Sequence, residues 1–367
     1  MVAGEASGDL YGARLALALR ERAPGIHLYG IGGREMERAG VELLWRCEEL
    51  AVVGIVEAMT KLPQVVRAYR TLRASLADRP SLAILIDYPG FNLPLAKALK
   101  KRGIPVLYYV SPQVWAWRPG RARKMGKRVD RLAVILPFEV EFFKRYGIEA
   151  TFVGHPLQEV LAEVPRREEA RRRLGLGKDE RVVAILPGSR PTEVKKLLTP
   201  MVEASEILRR GMTDLRFLLA LAPSLKREVL PPLEPWVEIV EGRPLEVMAS
   251  SDVMMVASGT ATLQGALLGI PMVILYRVNP ISYLLGRLLV RVEHIGLPNL
   301  LRGRRVVPEL IQGEVKPERI AEEVKRLLLD REAREGMRRE FEEIGLALEG
   351  NASQRVAELA MELMGEN

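Results

Sequence analysis

Leu186-Pro187-Gly188-Ser189-Arg190 follows the apolar run Val182–Ile185, and Ala257-Ser258-Gly259-Thr260-Ala261-Thr262 follows Val253–Val256. A strand that ends in a turn of small residues and opens a helix aims backbone N–H groups and the positive helix end at one point. That geometry suits phosphate. Two such turns in one half of a chain predict a diphosphate held between them. With another α/β half in front, the pattern points to a two-domain enzyme of nucleotide-sugar type.

Outward from those turns the same alternation continues. In the first half, apolar runs at Ile26–Ile31, Leu82–Ile86, Val106–Val110, Leu132–Leu136 and Thr151–Val153 are separated by helical patterns such as Leu10–Arg22, Gln64–Leu76 and Leu93–Arg102. Short apolar runs between amphipathic helices predict a parallel sheet covered on both faces. Gly154-His155-Pro156-Leu157 ends this half, so the domains are expected at 1–156 and 157–344. The second half adds runs at Val182–Leu186, Phe217–Ala222, Val237–Val240, Val253–Val256 and Pro271–Leu275. From Lys316 the chain reads as helix to its end, broken near Gly350, and the segment of about 345–367 is expected to pack back on the first domain. The charged stretch Arg166–Leu174 reads as a solvated helix face. Only Met1-Val2-Ala3 precede Gly4, a short lead for a first strand, so further residues are expected ahead of Met1.

The chain has 367 residues, enough for two domains, with 48% hydrophobic and 28% charged residues as in soluble globular proteins. No apolar run reaches the length of about 18 residues that a membrane-spanning helix needs. The opening Met-Val-Ala-Gly-Glu carries no secretory pattern, and cytosol is the default expectation. The single Cys47 excludes an intramolecular disulfide and a cysteine-based zinc cage. Asn and Gln total eleven against abundant Arg and Glu, a weak hint of a heat-tolerant source. A net charge of +8 and a pI near 9.6 admit nucleic acid, an anionic membrane or a phosphorylated substrate as partner.

Several residues carry candidate chemistry. Asp87 ends the run Leu82–Ile86, and Pro89 and Gly90 then re-aim the chain into a helix. This places a carboxylate at the carboxyl edge of a sheet, where it can serve as a general base or merely cap the helix. Gly4-Glu5-Ala6-Ser7-Gly8-Asp9 stands at the tip of the first strand, as ligand loop or as capped turn. Arg190 can neutralise a leaving diphosphate or pair with Glu193, and His155 can be ligand or structural. No metal-binding carboxylate pair is evident, so no metal and no cofactor are expected. Trp115 and Trp117 precede Arg118, Arg121, Arg123, Lys124, Lys127, Arg128 and Arg131, a composition suited to an anionic bilayer surface or to a solvated helix beside a packed aromatic pair. The apolar stretches Val52–Leu62 and Ile281–Val292, the latter with Arg287 and Arg291, extend that expectation. No RRM, KH or helix-turn-helix pattern accompanies the basic run, which argues against nucleic acid.

Taken in order, Ala3-Gly-Glu-Ala-Ser-Gly-Asp9, Gly30-Ile-Gly-Gly33 with Met36, Asp87-Tyr-Pro-Gly-Phe-Asn92, Tyr109-Val-Ser-Pro-Gln-Val-Trp-Ala-Trp117, Ile135-Leu-Pro-Phe-Glu139, Phe152-Val-Gly-His-Pro-Leu157, Leu186-Pro-Gly-Ser-Arg190, Ser258-Gly-Thr-Ala-Thr262 and Leu297-Pro-Asn299 span most of the chain. Together they resemble the lipid-A-disaccharide synthases, glycosyltransferases with two Rossmann-like domains facing across a cleft (GT-B type). The resemblance implies an α/β fold of that kind. It implies transfer of a 2,3-diacylglucosamine unit from its UDP donor to 2,3-diacylglucosamine 1-phosphate. The products are a β-1,6-linked disaccharide 1-phosphate and UDP, with inversion and without a metal. It further implies peripheral attachment to the cytosolic face of the inner membrane of a Gram-negative-type bacterium.

By the same resemblance Asp87 is the base, and Glu5, Ser7, Gly8, Asp9 and Asn92 line the acceptor side. UDP falls to His155, Gly188, Ser189, Arg190, Ser258, Gly259, Thr260, Ala261, Thr262, Gln264 and Asn299. Gln264 stands where such enzymes usually carry a Glu for the ribose hydroxyls. Trp115, Trp117, Arg118, Arg121, Arg123 and Lys124 face the membrane, and relatives that exchange C-terminal helices allow a homodimer. Rival readings are another UDP-sugar enzyme of the same fold, such as a UDP-N-acetylglucosamine 2-epimerase or the lipid-II-forming transferase. A non-catalytic UDP-sugar or lipid binder is a further rival, and an RNA binder ranks last.

Overall fold

The computed structural model describes residues 1–50, 55–117, 119–280, 283 and 293–365, with the backbone alone at 55–62, 78, 116–117 and 119. The chain divides into two compact units, Met1–Glu159 with Leu348–Asn367, and Val160–Ala347.

The first unit is built on a parallel sheet of β1 (Val2–Ala3), β2 (Tyr29–Gly32), β3 (Glu42–Arg46), β4 (Ala83–Ile86), β5 (Val106–Tyr109), β6 (Arg131–Val134) and β7 (Ala150–Phe152), in the order β3-β2-β1-β4-β5-β6-β7. Its central strands read as unbroken apolar runs because helices cover both faces, and all four residues of β5 are buried. β1 is only two residues long, yet Val2 and Ala3 pair with Leu85 and Ile86, and Met1 extends the β2 side by bonding Tyr29 and Ile31. β3 escaped the sequence pattern because its five residues are exposed or only half-buried at the sheet edge.

The second unit repeats the plan with β8 (Arg181–Leu186), β9 (Leu215–Leu221), β10 (Val237–Glu241), β11 (Val253–Ala257), β12 (Met272–Tyr276) and β13 (Glu309–Ile311), ordered β10-β9-β8-β11-β12-β13 and parallel throughout. The helix Arg167–Arg173, expected to be a solvated face, is partly sunk. Arg171 is buried, and its guanidinium donates to the carbonyls of Ser250 (2.9 Å), Gly177 (2.7 Å) and Glu180. Five donors in a fixed fork satisfy several carbonyls at once, which lets an arginine enter a core where a lysine would be left unpaired.

The last helix, Ala352–Met364, returns to the first unit and lies on Ala6–Arg22. Its inner face is small, with Ala352, Val356, Ala357 and Ala360 buried. Arg22 bonds Glu358 (2.7 Å) and Gln354, while Ser353 donates through both N–H and hydroxyl to Glu159 (2.8 and 2.5 Å). Entry to this helix needs glycine on both sides. A Cβ on Gly154, at φ +90°, would stand 2.7 Å from the Cα of Gly350. Gly154→Ala combines left-handed strain with a backbone clash, and we expect a loss of about 3 kcal/mol. Urea unfolding of the full chain reads this as a lower first midpoint.

Candidate active site

In each sheet the strand order reverses once, between β1 and β4 in the first unit and between β8 and β11 in the second. Chains leaving neighbouring strands at such a point run to opposite faces and open a crevice at the carboxyl ends. The Gly4–Glu5, Asp87–Tyr88, Gly188–Arg190 and Ser258–Thr260 loops leave the sheets at these points.

At the first reversal, β1 delivers Gly4 and Glu5, and β4 delivers Asp87 and Tyr88. Asp87 and Tyr88 are both left-handed, each at φ +46°. Such geometry costs a non-glycine residue about 1–2 kcal/mol, and here it occurs twice in succession. The Tyr88 ring lies flat over Gly4, where any Cβ would fall 2.1 Å from a ring carbon. This close approach explains the glycine. The Asp87 carboxyl is pushed up to about 6, first by burial and then by the negative charge of Glu5, against one bond from the Tyr88 N–H. Glu5 itself is exposed and stands at the start of the helix Ala6–Arg22.

Other residues of these motifs hold the loops rather than face outward. Asp9, expected on the acceptor side, is buried and caps the helix Arg34–Arg38 by accepting from the N–H groups of Gly33 (2.6 Å), Glu35 (3.0 Å) and Met36 (3.0 Å). Asn92 is fully buried, and its amide donates to the carbonyls of Asp87 (2.8 Å), Ile86 (3.2 Å) and Val2 (3.4 Å). The Asp9 carboxylate and the Asn92 NH2 group thus find backbone partners, whereas the buried Asn92 Oδ1 has none. Both assignments to the acceptor surface are thereby corrected. Ser7 is half-buried, while Gly8 lies under the loop with Ala3 in contact range. His155 belongs to this unit too. Its Nδ1 accepts from the Leu157 N–H (3.1 Å), and burial drops the imidazole to about 3, so it is neutral.

At the second reversal, Gly188 has φ +114°, and the Glu193 carboxylate folds back to accept from the Ser189 N–H (3.0 Å). Arg190 starts the helix Pro191–Gly211, with its side chain 63% exposed and its guanidinium 3.7 Å from Glu193. This loose pair leaves the cation available to a ligand. The other turn places exposed Gly259 and Thr260 at the start of the helix Thr260–Leu267, with Ala261 beside them and half-buried Gln264 one turn on. Ser258 donates to the carbonyl of Ile295 (3.2 Å), and buried Thr262 donates to Gly259 (2.7 Å). Asn299, expected at UDP, is turned inward in the same way. It is fully buried, accepts from Val306 and Val307 (2.8 Å each), and donates to Val307 (2.9 Å) and Glu309 (2.8 Å). Its amide has no capacity left for a ribose.

A family model for lipid-A-disaccharide synthetase matches residues 1–363. The chain belongs to the lipid-A-disaccharide synthase family. It is 45% identical to the lipid-A-disaccharide synthase of Syntrophus aciditrophicus over 372 residues, covering 99% of this chain and 97% of that one. To the enzyme of Geobacter sulfurreducens it is 44% identical over 375 residues, covering 100% and 97%. A solved UDP-GlcNAc 2-epimerase from Neisseria meningitidis, bound to UDP-GlcNAc, superposes with a TM-score of 0.63 at 12% identity, covering 97% of each chain. That likeness extends to the fold alone, the GT-B arrangement of two Rossmann-like domains.

Within this synthase the tryptophan motif is anchored by a residue that the sequence pattern left without a role. Glu139 is buried and accepts from Ser111 Oγ (2.5 Å), Trp115 Nε1 (3.0 Å) and the Leu136 N–H (3.1 Å). Burial nevertheless pushes its carboxyl up to about 7. In the sequence it shows as the end of the Ile135–Glu139 motif, a glutamate in the first turn of the helix Phe138–Lys144 with no role attached. Trp115 is half-buried, edge-on to exposed Phe138, and Arg121, Arg123 and Lys124 are exposed. Arg118, the stretch 281–292 apart from Tyr283, and residues 51–54 lie outside the described residues, as do the side chains of Trp117 and 55–62.

The raised Asp87 sets a pH dependence of stability for the synthase. The folded state keeps the proton up to about pH 6, whereas the unfolded chain releases it near the ordinary value of 3.8. Between those values the folded state binds more protons, so stability falls as pH rises, and the full penalty is present above pH 6. After a discount for partial exposure it amounts to about 2 kcal/mol. Asp87→Asn should therefore match the parent near pH 3 and exceed it by about that amount at pH 8 in chemical denaturation.

Proposed function

We propose that this synthase transfers a 2,3-diacylglucosamine unit from UDP to the 6-hydroxyl of 2,3-diacylglucosamine 1-phosphate, with inversion at the anomeric carbon. The observation that carries the residue-level reading is Asp87: a desolvated carboxyl, raised to about 6, at the strand reversal of the first unit. A base poised near neutral pH is ionised in the cell and still proton-hungry.

The chemistry follows. The acceptor oxygen attacks the anomeric carbon and passes its proton to Asp87. The bond from that carbon to the diphosphate oxygen breaks, and its electron pair leaves on UDP. Arg190 and the N–H groups of the Gly188–Ser189 and Gly259–Thr260 turns receive that charge. Preorganised donors of this kind can replace a metal, so the scheme uses none. Gln264 offers its amide oxygen to a ribose hydroxyl. Among the described residues no helix is long and apolar enough to cross a membrane. We assign bilayer contact to the face bearing Trp115, Arg121, Arg123 and Lys124, which joins an aromatic pair to unburied positive charge.

The test is product formation from synthetic acylated donor and acceptor, followed by mass spectrometry. Asp87→Asn should lower kcat by about 10²–10⁴ while UDP affinity stays within roughly twofold. Survival of turnover within a few fold would make Asp87 a helix cap and reject it as the base. Arg190→Ala should weaken UDP binding by roughly tenfold or more and lower turnover with it. Unchanged UDP affinity would remove Arg190 from the diphosphate site.

A further inference from the structure

The peptide group between Asp87 and Tyr88 is gripped at both ends. Its carbonyl oxygen accepts two bonds, from Tyr108 Oη at 2.6 Å and from Asn92 Nδ2 at 2.8 Å. Its N–H faces the Asp87 carboxyl and favours the ionised form. The left-handed Tyr88 can leave that region by rotation of the plane between it and Asp87, since this changes the ψ of Asp87 and the φ of Tyr88 with little movement of the chain. Rotation would carry the carbonyl away from both donors and turn the N–H away from the carboxylate. The two donors therefore decide which way the N–H points.

Tyr108 is fully buried. It packs in the apolar cluster with Val106, Leu95 and Phe91, a place where phenylalanine would fill the same space. A hydroxyl there is costly unless it is bonded, and its partner is the Asp87 carbonyl. The adjacent Tyr109 makes the contrast. It is equally buried, but its hydroxyl has no hydrogen-bond partner.

We propose that Tyr108 is a positioning residue for glycosyl transfer, fixing the Asp87–Tyr88 peptide, with Asn92, so that its N–H supports the ionised carboxylate of the base. The inference rests on Asp87 being that base. The charged and titratable groups around Asp87 are Glu5 from the tip of β1, Tyr11 from the helix Ala6–Arg22, and Tyr88 and Tyr108 themselves. None of the other three bonds the peptide oxygen.

The experiment compares Tyr108→Phe, Tyr109→Phe, Asp87→Asn and Asp87→Asn/Tyr108→Phe in the full-length protein. Readouts are kcat, KM for donor and acceptor, UDP affinity, and the pH dependence of kcat. Tyr108→Phe should lose roughly tenfold in kcat, with both KM values and UDP affinity within about twofold. The acid limb of its pH profile should move to higher pH, because the carboxylate loses a bond that favours its charge. Tyr109→Phe should keep parental kcat and profile. In the Asp87→Asn background, Tyr108→Phe should cost nothing further.

A parental kcat and an unmoved acid limb in folded Tyr108→Phe would overturn the proposal, as would an equal loss in the presence and absence of Asp87. Should Tyr108→Phe fail to fold, Asn92→Ser must show the same kcat loss and limb shift, and their absence would overturn it equally. Activity surviving in Asp87→Asn would sink the base assignment itself, and the positioning role with it. A Tyr108→Phe failure beside an inactive Asp87→Asn sinks the positioning role alone.

Discussion

The reversal of strand order in each parallel sheet is the constraint on which the rest depends. A parallel strand must be followed by a crossover, and crossovers of one hand send chains to opposite faces only where the order turns back. Between β1 and β4, and again between β8 and β11, the backbone leaves neighbouring strands toward opposite faces of the sheet. Polar side chains can gather at the carboxyl edge there. The Asp87 turn and the two glycine turns all occupy such places, one in the first unit and two in the second.

Support for these loops explains why so many polar motif residues turn inward. A loop at a sheet edge exposes backbone N–H and carbonyl groups that the ladder no longer pairs, and each buried one needs a partner. Asp9 supplies three acceptor bonds to one helix start, Asn92 gathers three carbonyls around the Asp87 turn, and Asn299 ties the 297–302 helix to Val306, Val307 and Glu309. They hold the shape of the loops from inside.

This also sets what was legible in the sequence. The buried strands β4, β5, β8 and β11 were readable because unbroken apolar runs between helices have few other solutions. Asp87 was readable because a carboxylate directly after such a run has only the sheet edge to occupy. The edge strand β3 was hidden, since one face and both ends of its sequence are polar enough for a loop. Asp9 and Asn299 were misread because a motif quoted in one dimension does not say whether a side chain points to a ligand or to a neighbouring N–H. Arg171 was misread for the related reason that a charge run on a short helix looks solvated until the carbonyls facing it are known. Glu139 had no periodic signal at all, and only the convergence of Ser111, Trp115 and Leu136 on its oxygens reveals it.

In the proposed scheme, with Asp87 as base, Arg190 at the diphosphate and Gln264 at the ribose, the two units treat their key charges in opposite ways, and the reaction gives the reason. A general base has to be rigid and partly desolvated, because its proton affinity and its aim must be set before the acceptor arrives. Asp87 meets this with a left-handed turn fixed by Tyr108, Asn92 and the Tyr109 carbonyl. A diphosphate cradle has the other requirement, since UDP must leave after each turnover. Arg190 is accordingly exposed and held only at 3.7 Å by Glu193, so donor binding has little to break and product release little to rebuild. The neutral Gln264 works in the same direction, because an amide oxygen can accept a ribose hydroxyl with a weaker bond than a carboxylate would make. Tight preorganisation belongs to the base, and loose, reversible charge pairing to the leaving group.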